Sequence, residues 1–381
     1  MKGVLLNQFN KLEPNNQGQA CSLPVARSGH RCVADDNNLW VFGGYNPDIR
    51  IINGQPSDGL LRELWKFNLT TKVWKQLPLH ENMPAEVASH AVFRHGKHML
   101  VFGGTGFPFG ETSSNKLSVC HLPTGQWRLL NCNGSVPDPV YGQAIAVVDS
   151  DLYVYGGTAG RIYNSDVHKL NLNELTWSSL KPNNPPEDLP FERYRHEIAV
   201  YDGKLYVLGG GTSTQVFPLL YVHVYSITNN TWTTVRTEKR PDSDTTVPKP
   251  RRCHSCVQFG DKAFICGGYN GRTIYGDLWQ LHLPSLVWTK IADMPEPVFF
   301  HSAAITPEGC MLVTGGNICI TPTIRTNSSY SIWLTVPSLQ TLCWNKLIET
   351  MPQLLSMTKK QLLELGINEH FVKKLECAVG A

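Results

Sequence analysis

The sequence predicts an all-β fold, a six-bladed β-propeller, followed by a small C-terminal helical segment. Three observations carry that reading. Six Gly-Gly pairs, at Gly43-Gly44, Gly103-Gly104, Gly156-Gly157, Gly209-Gly210, Gly267-Gly268 and Gly315-Gly316, recur 48 to 60 residues apart. Each pair closes a short apolar run, such as LWVFGG or LYVYGG. In the first five units a Trp follows the second Gly by 20 to 30 residues, at Trp74, Trp127, Trp177, Trp232 and Trp288. A period near 50 with several strands per unit is how radially repeated sheets are written in sequence.

Each unit reads as four strands. The first opens at a His (His30, His90, His196, His254, His301), with Gln143 in that place in the third unit. The second ends in Gly-Gly, the third is a stretch such as ELWKFNL or DLWQLHL, and the fourth carries the Trp, as in VWKQL. Alternating polarity with turn residues between runs is the antiparallel pattern. Paired glycines at a strand end permit positive φ and a close approach that a Cβ would obstruct. The sixth unit has no Trp strand after SIWLTVP, whereas LNQFNKLEP near residue 9 has Phe9 in the Trp position. Residues 4–13 are therefore expected to complete the last blade, within a propeller spanning 1–337.

After Pro337 the period changes. Ser338 suits an N-cap, and Leu339, Leu342, Cys343 and Leu347 fall on one apolar helical stripe. A second helix is expected from about Thr358 to Gly366, and a third after Asn368. A propeller does not need these helices to close, so residues 338–381 are expected to dock another protein.

Composition excludes several classes. Lys and Arg number 34 against 31 Asp and Glu, a net charge of +3, too balanced for a nucleic-acid or membrane surface. Eleven Cys without regular spacing fit a reduced compartment, cytoplasmic or nuclear, better than a disulfide scaffold. Cys253 and Cys256 stand three apart on a strand and would face opposite sides, which argues against a metal pair. One His per unit at the same position points to a repeated structural hydrogen bond rather than a metal. No P-loop, HExxH or strand-to-helix G-x-S-x-G is present. A non-catalytic binder with no cofactor and no metal is the expectation.

In a propeller the residues before each first strand and after each Gly-Gly share one face. Three before each His or Gln stand Arg27, Val87, Val140, Arg193, Arg251 and Val298, with Arg195, Arg252 and Arg272 nearby. Arginines beside apolar walls suit an anionic group on a short chain, most simply a peptide's terminal carboxylate. The plainer role for such arginines is bracing the blades.

The Gly-Gly pairs, the His-led first strand and the downstream Trp, as in RSGHRCVADDNNLWVFGGYNPD and RYRHEIAVYDGKLYVLGGGTS, resemble kelch repeats over roughly residues 4–337, in particular those of the kelch domain-containing protein 10 group. Gln143 and the long insertion after Gly44 are the departures. Ser338, Leu339, Cys343 and Leu347 resemble the elongin-binding box of cullin-based ubiquitin ligase receptors. Met351-Pro352-x-x-Leu355 resembles the adjoining cullin-2 box, with Met for the usual Leu and a short gap. The resemblance implies a substrate-recognition subunit of a cullin-2 ligase, with elongin B, elongin C and cullin-2 as partners. It also implies C-terminal degrons ending in Gly or Ala as ligands, whose degradation by the proteasome it would promote. The face argument assigns their binding to Arg27, Arg193, Arg195, Arg251, Arg252 and Arg272. A kelch scaffold for cytoskeletal or signalling proteins, without a ligase, is the alternative.

Overall fold

Six blades of four antiparallel strands, two of them (the third and fifth) with a short fifth strand added parallel to the outer one, surround one axis in the computed structural model, which describes residues 6–15, 23–52, 54–240 and 246–375. Blade 1 runs from its inner strand Arg31–Ala34 through Asn38–Phe42 and Leu64–Asn68 to the outer strand Trp74–Gln76. Blades 2 to 5 repeat the order from inner strands Ala91–His95, Ala144–Val148, Glu197–Tyr201 and Ser255–Phe259. Blade 6 takes Ser302–Ile305, Cys310–Thr314 and Ser329–Trp333 from the end of the repeat array. Its outer strand is Asn10–Lys11, with Asn10 opposite Ser331 and Lys11 opposite Tyr330. Residues 4 and 5 of the expected closing segment lie outside the described residues.

The outer-strand aromatics join the blades. Trp127 packs on Phe42 at 4.6 Å, Trp177 on Phe102 at 5.3 Å and Trp232 on Tyr155 at 5.0 Å. Each partner is the residue just before the Gly-Gly of the preceding blade. Trp288 lies in the core between blades 4 and 5, and Phe9 in that between blades 5 and 6. Aromatics of this size dominate interface burial.

The glycine pairs are explained by two contacts. The second Gly of every pair donates its N–H to the carbonyl three residues before the His or Gln of the following blade. The six bonds run Gly44 to Val87, Gly104 to Val140, Gly157 to Arg193, Gly210 to Arg251, Gly268 to Val298 and Gly316 to Arg27, at 2.8–3.0 Å. A Cβ on the first Gly would meet the next blade's His: at Gly209 it would lie 2.6 Å from the Arg251 carbonyl and 2.9 Å from His254 Cε1. The ring itself reaches back across the joint. His30 Nε2 bonds the Thr314 carbonyl at 3.0 Å, His196 Nε2 that of Tyr155 at 3.1 Å, and Gln143 donates to Phe102 at 2.8 Å. Burial pushes the imidazole pKa values down, to about 3 for His90 and His301 and well below the ordinary value for His30, His196 and His254.

Three helices follow: α1 (Leu339–Thr350), α2 (Lys359–Glu364) and α3 (Glu369–Leu375). Ser338 caps α1 by accepting from Thr341 N, and Thr358 and Gln361 form a capping box on α2. They share a small core of Trp344, Leu354, Leu362, Val372 and Leu375, with Trp344 stacked on Phe371 at 4.7 Å. The expected stripe is split. Leu342 and Leu347 are half-buried, but Leu339 (76% exposed) and Cys343 face solvent, because Thr341 and Trp344 form the inner face of α1. Met351 and Pro352 are exposed and Leu355 is half-buried. The helices dock at the end of the blades opposite the Gly-Gly pairs: Thr341 Oγ1 donates to Glu308 of blade 6 at 2.8 Å, and Asn68 of blade 1 donates to the Lys374 carbonyl at 3.1 Å.

Candidate functional site

Around the axis, on the Gly-Gly face, the residue immediately before each His or Gln forms a ring: Gly29, Ser89, Gly142, Arg195, Cys253 and Phe300. All six have left-handed backbones, φ 55 to 70°. Each donates its N–H to the carbonyl of the equivalent residue in the preceding blade, and Gly29 donates to Phe300, so six bonds of 2.7–3.1 Å close on themselves. Such a backbone costs a non-glycine residue of order 1 kcal/mol or more, and here the closed ring holds it. The ring fixes where the side chains at the mouth of the axial channel point.

Arg195 crosses that mouth. Its guanidinium donates to Ser89 Oγ in blade 2 and lies 4.5 Å from the Phe300 ring of blade 6. It is 4% exposed, and burial, with nearby Arg31, lowers its pKa to about 10, which leaves it charged at neutral pH. Beneath it Arg31 pairs with Glu197 at 2.9 Å, from blade 1 to blade 4. Two further cations stand at the rim. Arg252 lies 5.9 Å over Tyr194, and Arg325 lies 5.3 Å over Tyr45 while donating to Ser28 Oγ at 3.1 Å. Aromatic rings fill the spaces between: Tyr141 and Tyr163 against Tyr194, and Tyr269 against Phe299.

The cations of this mouth stand outside ion pairs, with Glu197 acting on Arg195 and Asp48 on Arg325 only at a distance. Among the described residues, arginine ion pairs join Arg27 to Glu63, Arg31 to Glu197, Arg236 to Glu238 and Arg251 to Asp277, and none involves Arg195, Arg252 or Arg325. Arg195 Nε and Arg252 NH1 are buried donors without an acceptor of normal hydrogen-bond geometry. The Tyr194 hydroxyl beside Arg252 is pushed up to about 12 by burial and stays protonated. A desolvated donor left unpaired is costly, and an incoming anion relieves that cost.

The expected ring of residues three before each His does not face the opening. Their carbonyls join neighbouring blades, and their side chains turn into their own blade. Arg27, Arg193 and Arg251 are 2%, 2% and 0% exposed. Each sends NH1 to the first Gly carbonyl of its own blade, Gly43, Gly209 and Gly267, at 2.9–3.2 Å. Arg251 also forms a fork with Asp277 at 2.6 and 3.0 Å. Arg272 is exposed in the Asn270–Thr273 turn on the same face as the mouth. The structure thus brings Arg195 and Arg252 to the mouth, adds Arg325 and the tyrosines, and sets Arg27, Arg193 and Arg251 apart as braces. The readable signal was Gly29 and Gly142, at equivalent positions before the first strand. A cavity of about 250 Å³ beside blade 2 is lined by Arg62, whose guanidinium is taken up by the carbonyls of Glu81, Met83 and Pro84. It is a joint rather than a ligand site.

The repeats and their arrangement agree with comparisons across known proteins. The KLHDC2/KLHL20/DRC7 Kelch-repeats domain matches residues 4–210 and 184–361. Kelch domain-containing protein 10 of Xenopus laevis is 50% identical over 356 residues, covering 93% of this chain and 86% of that protein. The human protein of that name is 49% identical over 356 residues, 93% of this chain and 80% of its own length. This chain belongs to the kelch domain-containing protein 10 family. The Drosophila melanogaster homolog is 39% identical over 379 residues. As a member, the chain is a kelch-type substrate-binding protein.

Proposed function

We propose that this protein is a substrate-recognition subunit of a cullin-2–elongin B/C ubiquitin ligase that binds C-terminal tails ending in Gly or Ala. The observation that carries the reading is the mouth of the channel, where Arg195, Arg252 and Arg325 each lie against a tyrosine or phenylalanine ring and none forms an ion pair with a carboxylate. A terminal carboxylate supplies the missing charge to forked donors, and the crowded aromatic rim favours a last residue with little or no side chain. The second support is position. Leu339 and Cys343 lie exposed one turn apart on α1, at the end of the propeller away from the mouth. An elongin-type partner seated there leaves the ligand face free, and Met351, Pro352 and Leu355 continue that surface towards a cullin. The protein then works by holding a substrate near the ubiquitin-transferring machinery and performs no bond chemistry itself.

The test has two arms. C-terminal peptides ending in Gly or Ala should bind the purified protein, and their amidated twins should bind at least tenfold more weakly. The double variant Leu339→Ala, Cys343→Ala should stop co-purification with elongin B and C while leaving peptide affinity unchanged. Equal affinity of acid and amide rejects the ligand; undiminished elongin capture rejects the ligase.

A further inference from the structure

The three bracing arginines provide an internal comparison. Arg27 meets Glu63, and Arg251 meets Asp277. Both carboxylates occupy one register position, just before the residue that pairs with the last residue ahead of Gly-Gly: Leu64 opposite Phe42, and Leu278 opposite Cys266. In blade 4 Val207 pairs with His223, which puts Tyr221 in that position. Arg193 therefore has the burial and the carbonyl contacts of its two counterparts but no carboxylate. Its Nε donates to Phe191 at 3.2 Å and its NH1 to Gly209 at 3.2 Å. The remaining nitrogen, NH2, is buried without a well-formed hydrogen bond and has the neutral Tyr155 hydroxyl for a neighbour.

Beside this side chain is a cavity of about 340 Å³, lined by Arg193, Phe191, Gln215, Phe217, Tyr221 and His223 among others. Its walls are apolar: Phe191 and Phe217 stack at 6.3 Å, Phe217 lies 4.3 Å from the guanidinium, and Phe191 and Tyr221 are 73% and 51% exposed. All the lining residues belong to blade 4 or the segment leading into it, so the cavity is separate from the axial mouth.

We propose that this cavity is a second binding site, which takes the carboxylate side chain of an Asp or Glu flanked by apolar residues in a bound polypeptide. The ligand's acid replaces the one this chain supplies in blades 1 and 5, while its apolar neighbours pack on Phe191 and Phe217. A buried guanidinium lacking an acid is the complement of an acidic side chain rather than of a neutral one. The site goes beyond the terminal-carboxylate reading and does not depend on it.

The probe is acetyl-Leu-Glu-Leu-amide, which has no free terminus, against its Gln twin, with binding followed by NMR titration of the full chain. The Glu peptide should bind at least tenfold more tightly than the Gln peptide. Tyr221→Asp puts the missing acid in place. It should abolish Glu-peptide binding and raise Tm by about 2–4 °C, whereas Tyr221→Asn, which loses the same ring, should keep the preference for Glu over Gln and should not raise Tm. Affinity of the mouth for C-terminal peptides should be the same in both variants, so the two sites fail or stand separately. Equal binding of the Glu and Gln peptides, or equal Tm for the Asp and Asn variants, overturns the proposal.

Discussion

Five neutral histidines locked between blades make this propeller sensitive to acid, and the size of the effect follows from their burial. His30, His90, His196, His254 and His301 are 0–2% exposed, and all have lowered pKa values, with burial the leading cause. A group held neutral in the fold but free to protonate near pH 6.5 when unfolded stabilises the fold fully above that pH. The contribution is lost as pH falls towards the folded value, about 3 for His90 and His301. At pH 5 the loss is about 2 kcal/mol per ring, from 1.36 kcal/mol per unit over roughly 1.5 units. Five rings together lose about 10 kcal/mol, comparable to the whole stability of an ordinary domain. Chemical denaturation between pH 8 and pH 5 should therefore show a steep fall in unfolding free energy. His196→Gln is the discriminating variant, because Gln143 already occupies the equivalent place and makes the equivalent bond. It should reduce the loss between pH 8 and pH 5 by about 2 kcal/mol. An unchanged pH dependence would refute the claim that the ring remains neutral in the folded protein.

Three other expectations follow from the same geometry. Arg252→Met should weaken binding of C-terminal peptides by about 1.5–3 kcal/mol, roughly 10- to 150-fold, and have little effect on amidated peptides, as read by fluorescence anisotropy. Equal weakening of acid and amide would show that the guanidinium does not meet the carboxylate. Trp232→Ala, which empties the contact with Tyr155, should cost about 3–5 kcal/mol in urea titrations. Glu197→Gln should destabilise by about 3–5 kcal/mol by leaving Arg31 without its ion-pair partner, and the double variant with Arg31→Met should regain most of that loss in the same assay.

The blade plan was legible because its determinants are backbone rules that repeat. Gly43-Gly44 and its counterparts are demanded by a carbonyl and an imidazole (the Gln143 amide at Gly103) pressing from the next blade, and a period near 50 exposes that demand six times over. Phe9 could be placed because its Trp counterparts define what the sixth blade lacks. Side-chain direction was the part that periodicity does not encode. Arg193 and Arg195 are two residues apart, yet one turns into its blade and the other across the axis, because the left-handed residue between Tyr194 and His196 redirects the chain. Arg325 sits in a connection without repeat register, so no pattern pointed to it. On α1, hydrophobicity marked Leu339 and Cys343, but only packing tells an inner face from an outer one.

The pairing of Asn10 and Lys11 with Tyr330 and Ser331 has a consequence for synthesis. Strand partners about 320 residues apart cannot meet until every residue between them has left the ribosome, a wait of tens of seconds at about 5–20 residues per second. Meanwhile Asn10–Lys11 has no strand to pair with, and the aromatic ring of Phe9 has no cavity to enter. During that interval the nascent wheel is most exposed to stray β-pairing and to chaperone capture.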